Sequence, residues 1–396
     1  MTLLVDGKAA FPEILRCIAA AQRSVRVNMF IWRDDAIGNR IATALLAAAD
    51  RGVQVDISVD RYGVVLEKAE ECKRSFFHKQ QTLTEKIKTA TLEVLYPMPG
   101  APKRARDEET ALYRRLMAHP NIRVERETFK ADHSKFYVFD EETVIMGGIN
   151  IEDKENGCDL QGRAYQDYMV KLEGSEFVES LRFSLRGRGG QGEDWFFGAN
   201  VKVPVRRFDM ERLYLAMIGE AQKELTITMA YFSPLPQFTQ AIAAAYRRGV
   251  QVTVLVPERA NFQSDSNSKT VRKLLGMTDN GITVYASPKM VHTKLVANEN
   301  WVSFGSCNIT RKAFRQLDEL NFFLRRGGDT AEALMDSVRA EHALSRRVSD
   351  RREVKYNRLR AWLEGFLVLN KNKHDLSHGT GRFIVDGKIR CARPAA

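Results

Sequence analysis

The chain has five cysteines, Cys17, Cys72, Cys158, Cys307 and Cys391, and no CxxC pair among them. That scatter indicates neither a zinc site nor a disulfide framework, and it fits a reducing compartment. No window of about 18 consecutive apolar residues occurs, so no membrane-spanning helix is expected and any membrane contact would be peripheral. The opening residues Met1 to Asp6 lack a charged segment followed by a long apolar stretch, so no signal peptide is expected there. Proline is scarce (11 of 396 residues), and 44% hydrophobic with 28% charged residues excludes disordered, collagen-like and repeat-array proteins. Acidic residues number 50 against 61 basic ones. The net charge of +11 favours anionic partners: nucleic acid, acidic lipid headgroups or phosphorylated substrates. Charge alone does not choose among them. The length predicts two or three domains.

What is present is a repeat. Arg51-Gly52-Val53-Gln54-Val55 recurs unchanged as Arg248-Gly249-Val250-Gln251-Val252. Each copy follows an alanine-rich helical segment and leads into a strand-like run, 56–59 and 253–256. Upstream, Ala21-Gln22-Arg23-Ser24-Val25 echoes Ala221-Gln222-Lys223-Glu224-Leu225. Each half therefore reads helix, strand, helix, glycine turn, strand. This predicts α/β organisation with a largely parallel sheet in each half. The glycine has a local reason, because helices commonly end on a residue with positive φ.

The order continues into a third element. Of the seven histidines, only His133 and His292 have lysine two positions on (Lys135, Lys294), and both have an acid at the seventh (Asp140, Glu299). A small-residue turn ending in asparagine follows each: Gly147-Gly148-Ile149-Asn150 and Gly305-Ser306-Cys307-Asn308. The pentapeptide lies 82 residues before His133 but 44 before His292, a difference of 38. The first half thus carries an insertion, placed between about 66 and 116.

On a strand, residues i and i+2 share a face, so His133 and Lys135 are expected to point the same way. A hairpin would return Asn150 toward the histidine end. Asp140 and Glu299, roughly 20 Å along the strand, are expected to hold the turn and not to touch a reacting atom. Imidazole serves as nucleophile or general acid–base near neutral pH. Lysine ammonium and asparagine amide groups cradle a phosphate and stabilise charge on its oxygens. Two such sets supply one histidine to attack phosphorus and another to protonate the leaving oxygen, with no metal or cofactor required. Asp167 and Glu319 lie downstream of each asparagine, where a carboxylate can orient a histidine.

These paired His-x-Lys-x4-acid motifs, each followed by Gly-Gly/Ser-x-Asn, resemble the phospholipase D superfamily. Within it they look most like bacterial cardiolipin synthases. Ala230-Tyr231-Phe232-Ser233-Pro234 resembles their Pro-Tyr-Phe-x-Pro segment, with Ala replacing the first proline. The resemblance runs from about Leu4 to Phe323. It implies two tandem α/β/α domains with pseudo-twofold symmetry and one active site at their interface, without metal or cofactor. It assigns His133 as nucleophile and His292 as acid, with Lys135, Asn150, Lys294 and Asn308 beside them. Asp140, Asp167, Glu299, Ser306 and Glu319 are support. The departures are Glu299 for aspartate, Leu317 where asparagine is frequent, the insertion, and the lack of the N-terminal transmembrane helices that many relatives carry.

The expected organisation is a first phospholipase D-like domain over 1–185, a linker over 186–208, a second domain over 209–345 and a basic amphipathic extension over 346–396. In the extension Leu359, Trp362, Leu363, Phe366 and Leu367 share a helical face flanked by arginines, which suits either an interfacial helix on acidic lipid or packing on the second domain. Phe76-Phe77, beside Lys73, Arg74 and Lys79, is a further candidate lipid-touching loop, with a solvated helical excursion as the alternative. The leading expectation is a cardiolipin synthase-like phosphatidyltransferase acting on phospholipid such as phosphatidylglycerol, at the cytoplasmic face of an acidic membrane. The alternatives are a phospholipase D hydrolase, a metal-independent nuclease, or a non-catalytic lipid- or nucleic-acid-binding module.

Overall fold

A computed structural model of the chain describes residues 1–98, 100, 108–188, 192–202, 206–367 and 389. The side chains of Phe366 and Leu367 lie outside that description. The chain divides into two compact units, Met1–Val178 and Glu179–Ala396.

The first unit begins β1 (Thr2–Val5), α1 (Asp6–Ala20), β2 (Ser24–Met29), α2 (Ala36–Asp50) and β3 (Gln54–Val59). It continues with α3 (Val64–Ala69), α4 (Leu83–Leu95), α5 (Ala111–Ala118), β4 (Ile122–Glu125), β5 (Phe136–Phe139), β6 (Thr143–Gly147) and β7 (Tyr168–Glu173). The strands form a sheet of order β1-β7-β6-β5-β2-β3-β4. Only two of its six pairings, β2 with β3 and β3 with β4, are parallel. The expected largely parallel sheet is therefore mixed. The helical crossovers make parallel neighbours, but the histidine motif sits on a tight hairpin, and a short turn joins only antiparallel strands.

After α6 (Ser175–Leu185), the second unit runs β8 (Trp195–Val201), β9 (Arg207–Phe208), α7 (Met210–Glu220), β10 (Glu224–Met229), α8 (Pro236–Arg247) and β11 (Gln251–Pro257). It continues α9 (Ser264–Met277), β12 (Thr283–Ser287), β13 (Lys294–Asn298), β14 (Trp301–Gly305), α10 (Arg311–Arg315), β15 (Glu319–Arg325), α11 (Asp329–Leu344), β16 (Arg346–Val348) and α12 (Arg358–Leu367). The sheet order is β9-β8-β15-β14-β13-β10-β11-β12-β16. The parallel segment is again confined to the crossovers, β10 with β11 and β11 with β12. Within 186–208, read from the sequence as a linker, β8 and β9 are strands of this sheet.

The repeated pentapeptide has a structural task. The Arg51 Nη2 donates to the carbonyls of Ile18, Ala19 and Ala21 at 3.1, 3.0 and 3.4 Å. The Arg248 Nη2 donates to Ile218, Gly219 and Ala221 at 3.1, 3.1 and 3.2 Å. Arg51, at the end of α2, thereby satisfies the last carbonyls of α1 and its exit, and Arg248, at the end of α8, those of α7, which no intrahelical N–H reaches. The next residues, Gly52 and Gly249, have φ of 97° and 91°, where a side chain is disfavoured. Burial does the rest. Phe11, Ile14, Ile18, Ile41 and Leu45 of α1 and α2 pack with Val25, Val27, Val55 and Ile57 of the strands. Every residue of β5 and of β14 is buried, so both faces of each sheet are covered at the motif hairpin.

The insertion falls in the β3–β4 crossover, residues 60–121, whereas the β11–β12 crossover, 258–282, holds only α9. Phe76 and Phe77 within it are fully buried. Their rings lie 4.9 Å apart, and Phe77 meets Trp32 edge-on at 5.1 Å. The candidate lipid-touching loop is instead part of the core: the aromatic pair closes over Trp32, and Lys73 and Lys79 are held in ion pairs with Glu93 and Asp34 at 3.0 and 3.3 Å. α4 exposes Leu83, Ile87 and Val94. The extension places β16 at the edge of the second sheet and packs α12 on α9 through Ala361 and Glu364, leaving Leu359 and Trp362 outward.

Candidate functional site

In the first unit His133 precedes β5 and is buried. Its ring meets Phe30 edge-on with centroids 4.7 Å apart. Lys135 is fully buried; its Nζ lies 5.1 Å from the Phe30 centroid and donates to the His133 carbonyl at 2.5 Å. The β5–β6 hairpin pairs Phe136 with Met146 and Phe139 with Thr143. Beyond it the Gly147 N–H donates to the Lys135 carbonyl at 3.3 Å, so the glycine turn returns beside the lysine.

The glycines answer close approach. A Cβ on Gly147 would stand 2.1 Å from the Tyr168 carbonyl oxygen, and one on Gly148 would stand 2.2 Å from an Asp167 carboxylate oxygen. Asp167 is buried against the turn, its Oδ1 accepting from the Tyr168 N–H at 2.8 Å. Asn150 is held by its successor: the Ile151 N–H donates to the Ile31 carbonyl at 3.1 Å, and the Arg33 N–H to the Ile151 carbonyl at 3.0 Å. The Asn150 Nδ2 reaches Glu152 Oε1 at 3.4 Å, while its buried Oδ1 has no hydrogen-bond partner among the described residues. A buried amide oxygen without a donor is costly, so this acceptor is available for a donor that a bound molecule or water brings.

The second unit repeats the arrangement. His292 and Lys294 are buried, the Lys294 Nζ again donates to the histidine carbonyl, and Tyr231 lies edge-on to His292 at 6.4 Å. β13 and β14 pair Leu295 with Phe304 and Ala297 with Val302. Phe232–Ser233 runs parallel to Ile309–Thr310, the counterpart of the bridge between Trp32 and Ile151. Here Asn308 Oδ1 accepts from the Tyr231 N–H at 3.1 Å. Ser306 donates its hydroxyl to Glu319 and accepts from the Leu320 N–H at 3.0 Å. Each histidine motif is thus brought together with its lysine, its asparagine turn and one downstream carboxylate at the end of one hairpin.

Asp140 and Glu299 are not with them. They sit at the opposite end of β5 and β13, each binding three consecutive backbone N–H groups: Gln22, Arg23 and Ser24 for Asp140, and Gln222, Lys223 and Glu224 for Glu299. Partial burial alone would raise both carboxyls. The N–H groups outweigh it and hold each below its ordinary value.

Three supporting features have no counterpart in the other copy, so comparing repeats could not find them. Arg33 is buried between Glu152 and Glu70 at 2.7 and 3.1 Å, and Lys154 reaches the same carboxylates at 3.4 and 2.7 Å. Burial opposes charge on both bases, but the facing carboxylates prevail and hold Arg33 and Lys154 protonated. The positions matching Arg33 and Glu152 are Ser233 and Thr310. Asp132 accepts from the Ser134 N–H at 2.9 Å and fixes the approach to His133. In the second unit the Asn321 Oδ1 accepts from the Cys307 N–H at 3.0 Å and its Nδ2 donates to the Tyr214 hydroxyl at 2.9 Å, beneath the Ser306 turn. Among the described residues no three His, Cys, Asp or Glu side chains group as metal ligands.

The chain matches the family model described as "Cardiolipin synthase, PLD-like domain" over residues 14–185 and 214–339. It is similar to cardiolipin synthase B of Shigella flexneri, 28% identical over 333 residues, covering 78% of this chain and 72% of the relative. It is also similar to cardiolipin synthase A of Pseudomonas aeruginosa (strain LESB58), 25% identical over 344 residues, covering 81% of this chain and 61% of the relative. Its fold is similar to the crystal structure of phosphatidylserine synthase from Haemophilus influenzae Rd KW20, with a TM-score of 0.62 at 12% identity, covering 92% of this chain and 91% of that one. One complete histidine motif lies in each matched segment, and the chain belongs to the cardiolipin synthase, PLD-like domain family.

Proposed function

We propose that the chain is a phospholipid phosphatidyltransferase of cardiolipin-synthase type, in which the two histidine sets act together on one phosphodiester. The observation that carries this reading is the completeness of both sets. Each unit buries a histidine, a lysine and an asparagine at the end of the same hairpin, in a chain of that family. A binding module descended from such an enzyme has no need of both.

In the proposed reaction the His133 imidazole attacks the phosphorus of a phosphatidyl donor. The bond to the headgroup oxygen breaks, and His292 gives its proton to the departing alcohol. The phosphatidyl group is then carried on His133. His292, now neutral, takes the proton from an acceptor alcohol such as phosphatidylglycerol, whose oxygen attacks phosphorus and frees His133. Lys135, Lys294, Asn308 and, once its amide turns Nδ2 toward the phosphate, Asn150 stabilise the charge on the non-bridging phosphate oxygens. Water as acceptor would make the same site a hydrolase. The enzyme would work at the cytoplasmic face of the membrane, and among the described residues no helix is long and apolar enough to cross one.

The test offers the purified protein phosphatidylglycerol vesicles and, separately, single-stranded DNA, both with EDTA. Phospholipid product is expected from vesicles, with a loss of roughly a thousandfold or more in His133→Ala and in His292→Ala. The double variant should be little worse than either single one, because the two act as a unit. DNA cleavage without lipid turnover would overturn the reading, and so would full activity in both alanine variants.

A further inference from the structure

A second cationic feature lies away from the histidine motifs, on the second unit. A cleft of about 540 Å³ is lined by Lys269, Arg272, Lys273 and Gly276 of α9 and by Arg351, Arg352 and Tyr356 ahead of α12. The four α9 residues fall at i, i+3, i+4 and i+7, so they form one helix face. No carboxylate lines the cleft. Lys269, Arg272, Lys273, Arg351 and Arg352 form no ion pair with any carboxylate among the described residues, and all five are exposed. Five uncompensated cations around one concavity repel each other, which stability alone does not favour.

The cleft is built, not an accident of loose side chains. Arg272 Nη1 donates to the carbonyls of Arg351 and Val354 at 3.1 and 3.0 Å, tying the far wall to α9. The chain then enters α12, seated on the start of α9. Asp265 Oδ1 accepts from the Asn357 N–H, and Glu364 Oε2 accepts from the Ser266 N–H, both at 2.7 Å. That seating turns Ala361 and Glu364 inward. It leaves Leu359 66% and Trp362 59% exposed, three residues apart on the outward side of the same helix. Burying Glu364 while exposing a tryptophan is the reverse of ordinary helix packing, and tryptophan is a residue that settles at lipid headgroup depth.

We propose that this surface docks the enzyme on an acidic lipid bilayer. Lys269, Lys273, Arg351 and Arg352 receive anionic headgroup phosphates in the cleft, and Leu359 and Trp362 enter the headgroup–acyl boundary beside it. An acidic bilayer is the partner that answers both halves of the patch, since it offers dense negative charge with an apolar layer directly beneath. The proposal rests on the reading of the chain as a phospholipid enzyme, and it concerns binding to the membrane, not the chemical step.

The experiment is vesicle flotation of the full chain on phosphatidylcholine vesicles with and without phosphatidylglycerol, paired with turnover of monomeric short-chain phosphatidylglycerol. The variants are Lys269→Gln/Lys273→Gln/Arg352→Gln and Leu359→Ser/Trp362→Ser. The first three side chains make no intramolecular hydrogen bond among the described residues, so their loss should leave the fold intact. The wild-type chain should float with the acidic vesicles alone, less so as salt rises. The triple variant should partition roughly a hundredfold more weakly, at about fivefold per lost charge, and the double variant should also detach. Both should keep wild-type turnover of the monomeric lipid. The docking proposal is overturned if flotation is unchanged in both variants, or if monomeric turnover falls along with it. It is also overturned if Leu83→Ser/Ile87→Ser/Val94→Ser on α4 releases the protein while the cleft variants do not, or if the triple variant loses only retention of single-stranded DNA. Failure of the enzymatic reading would show separately, as absent turnover in a chain that still floats.

Discussion

The carboxylate of Asp140 accepts a hydrogen bond from the backbone N–H of Arg23 at 2.7 Å across 117 residues of sequence. Gln22 and Ser24 donate to the same side chain, and Glu299 repeats the contact in the second unit with Gln222, Lys223 and Glu224. The acid of the histidine motif therefore nails the hairpin to the start of the neighbouring strand, β2 or β10. Asp140→Ala should lower stability by about 1–3 kcal/mol, the cost of stranding backbone donors. Both carboxyls are held below their ordinary values, so the stability they confer is fully present above about pH 4 and is lost as pH falls through the depressed value. Urea unfolding across pH 3 to 6 should show a shallower acid-side slope in Asp140→Asn than in the wild-type chain. An equal slope would mean that Asp140 titrates normally.

Arg33 is the keystone of a buried group with two bases and two carboxylates. Its guanidinium also donates to the carbonyls of Glu67 and Glu70 at 2.7 and 3.1 Å, joining the start of the insertion to the Asn150 turn. Arg33→Met leaves Glu152 and Glu70 to share Lys154 alone, at a cost of about 3–5 kcal/mol. Arg33 is a positioning residue, acting through Glu152 on Asn150, so turnover at saturating lipid should also fall in the fraction that remains folded. Arg33→Lys should recover part of the stability and part of the rate. If both variants lose stability while turnover per folded molecule is unchanged, Asn150 does not depend on the network.

The parts legible in the sequence are those that occur twice. Arg51 and Arg248 recur because each must clamp the end of a helix. Glycine at 147 and 305 recurs because each stands where β7 or β15 passes too close for a side chain. The parts not legible occur once or depend on distant packing. Arg33 and Glu152 have no partner in the repeat, and nothing in one copy marks them as a pair. Phe76 and Phe77 look like a basic-flanked surface loop because their burial comes from Trp32 and Tyr113, each more than thirty residues away. The antiparallel hairpin of each motif is legible, but its antiparallel joining to β2 and β7, or to β10 and β15, is not, because those partners lie far off in the sequence.

Phe77 therefore serves as a test of the insertion. The ring is fully buried against Trp32, so Phe77→Ala should cost about 3–5 kcal/mol in urea unfolding. Flotation of the folded protein on acidic vesicles should not change. A surface loop that touched lipid would give the opposite pair of results: stability kept and vesicle binding lost.

Gly148 separates the turn from the carboxylate that approaches it. A methyl group there would stand 2.2 and 2.5 Å from the two Asp167 oxygens, well inside van der Waals contact, so Gly148→Ala must push Asp167 away from the Asn150 turn. Backbone strain is not the reason, because Gly148 is not among the glycines with positive φ. The displaced group is a buried side chain with its own N–H contact at Tyr168, so moving it also strands a donor. If Asp167 supports the proposed chemistry at His133, Gly148→Ala should match Asp167→Asn in its fall in turnover, and combining them should add little. The Gly148→Ala crystal structure or a hydrogen-exchange profile would show whether the Asp167–Tyr168 segment has moved. A loss in Gly148→Ala with full activity in Asp167→Asn would place the importance of the glycine in the path of the backbone and remove Asp167 from the reaction.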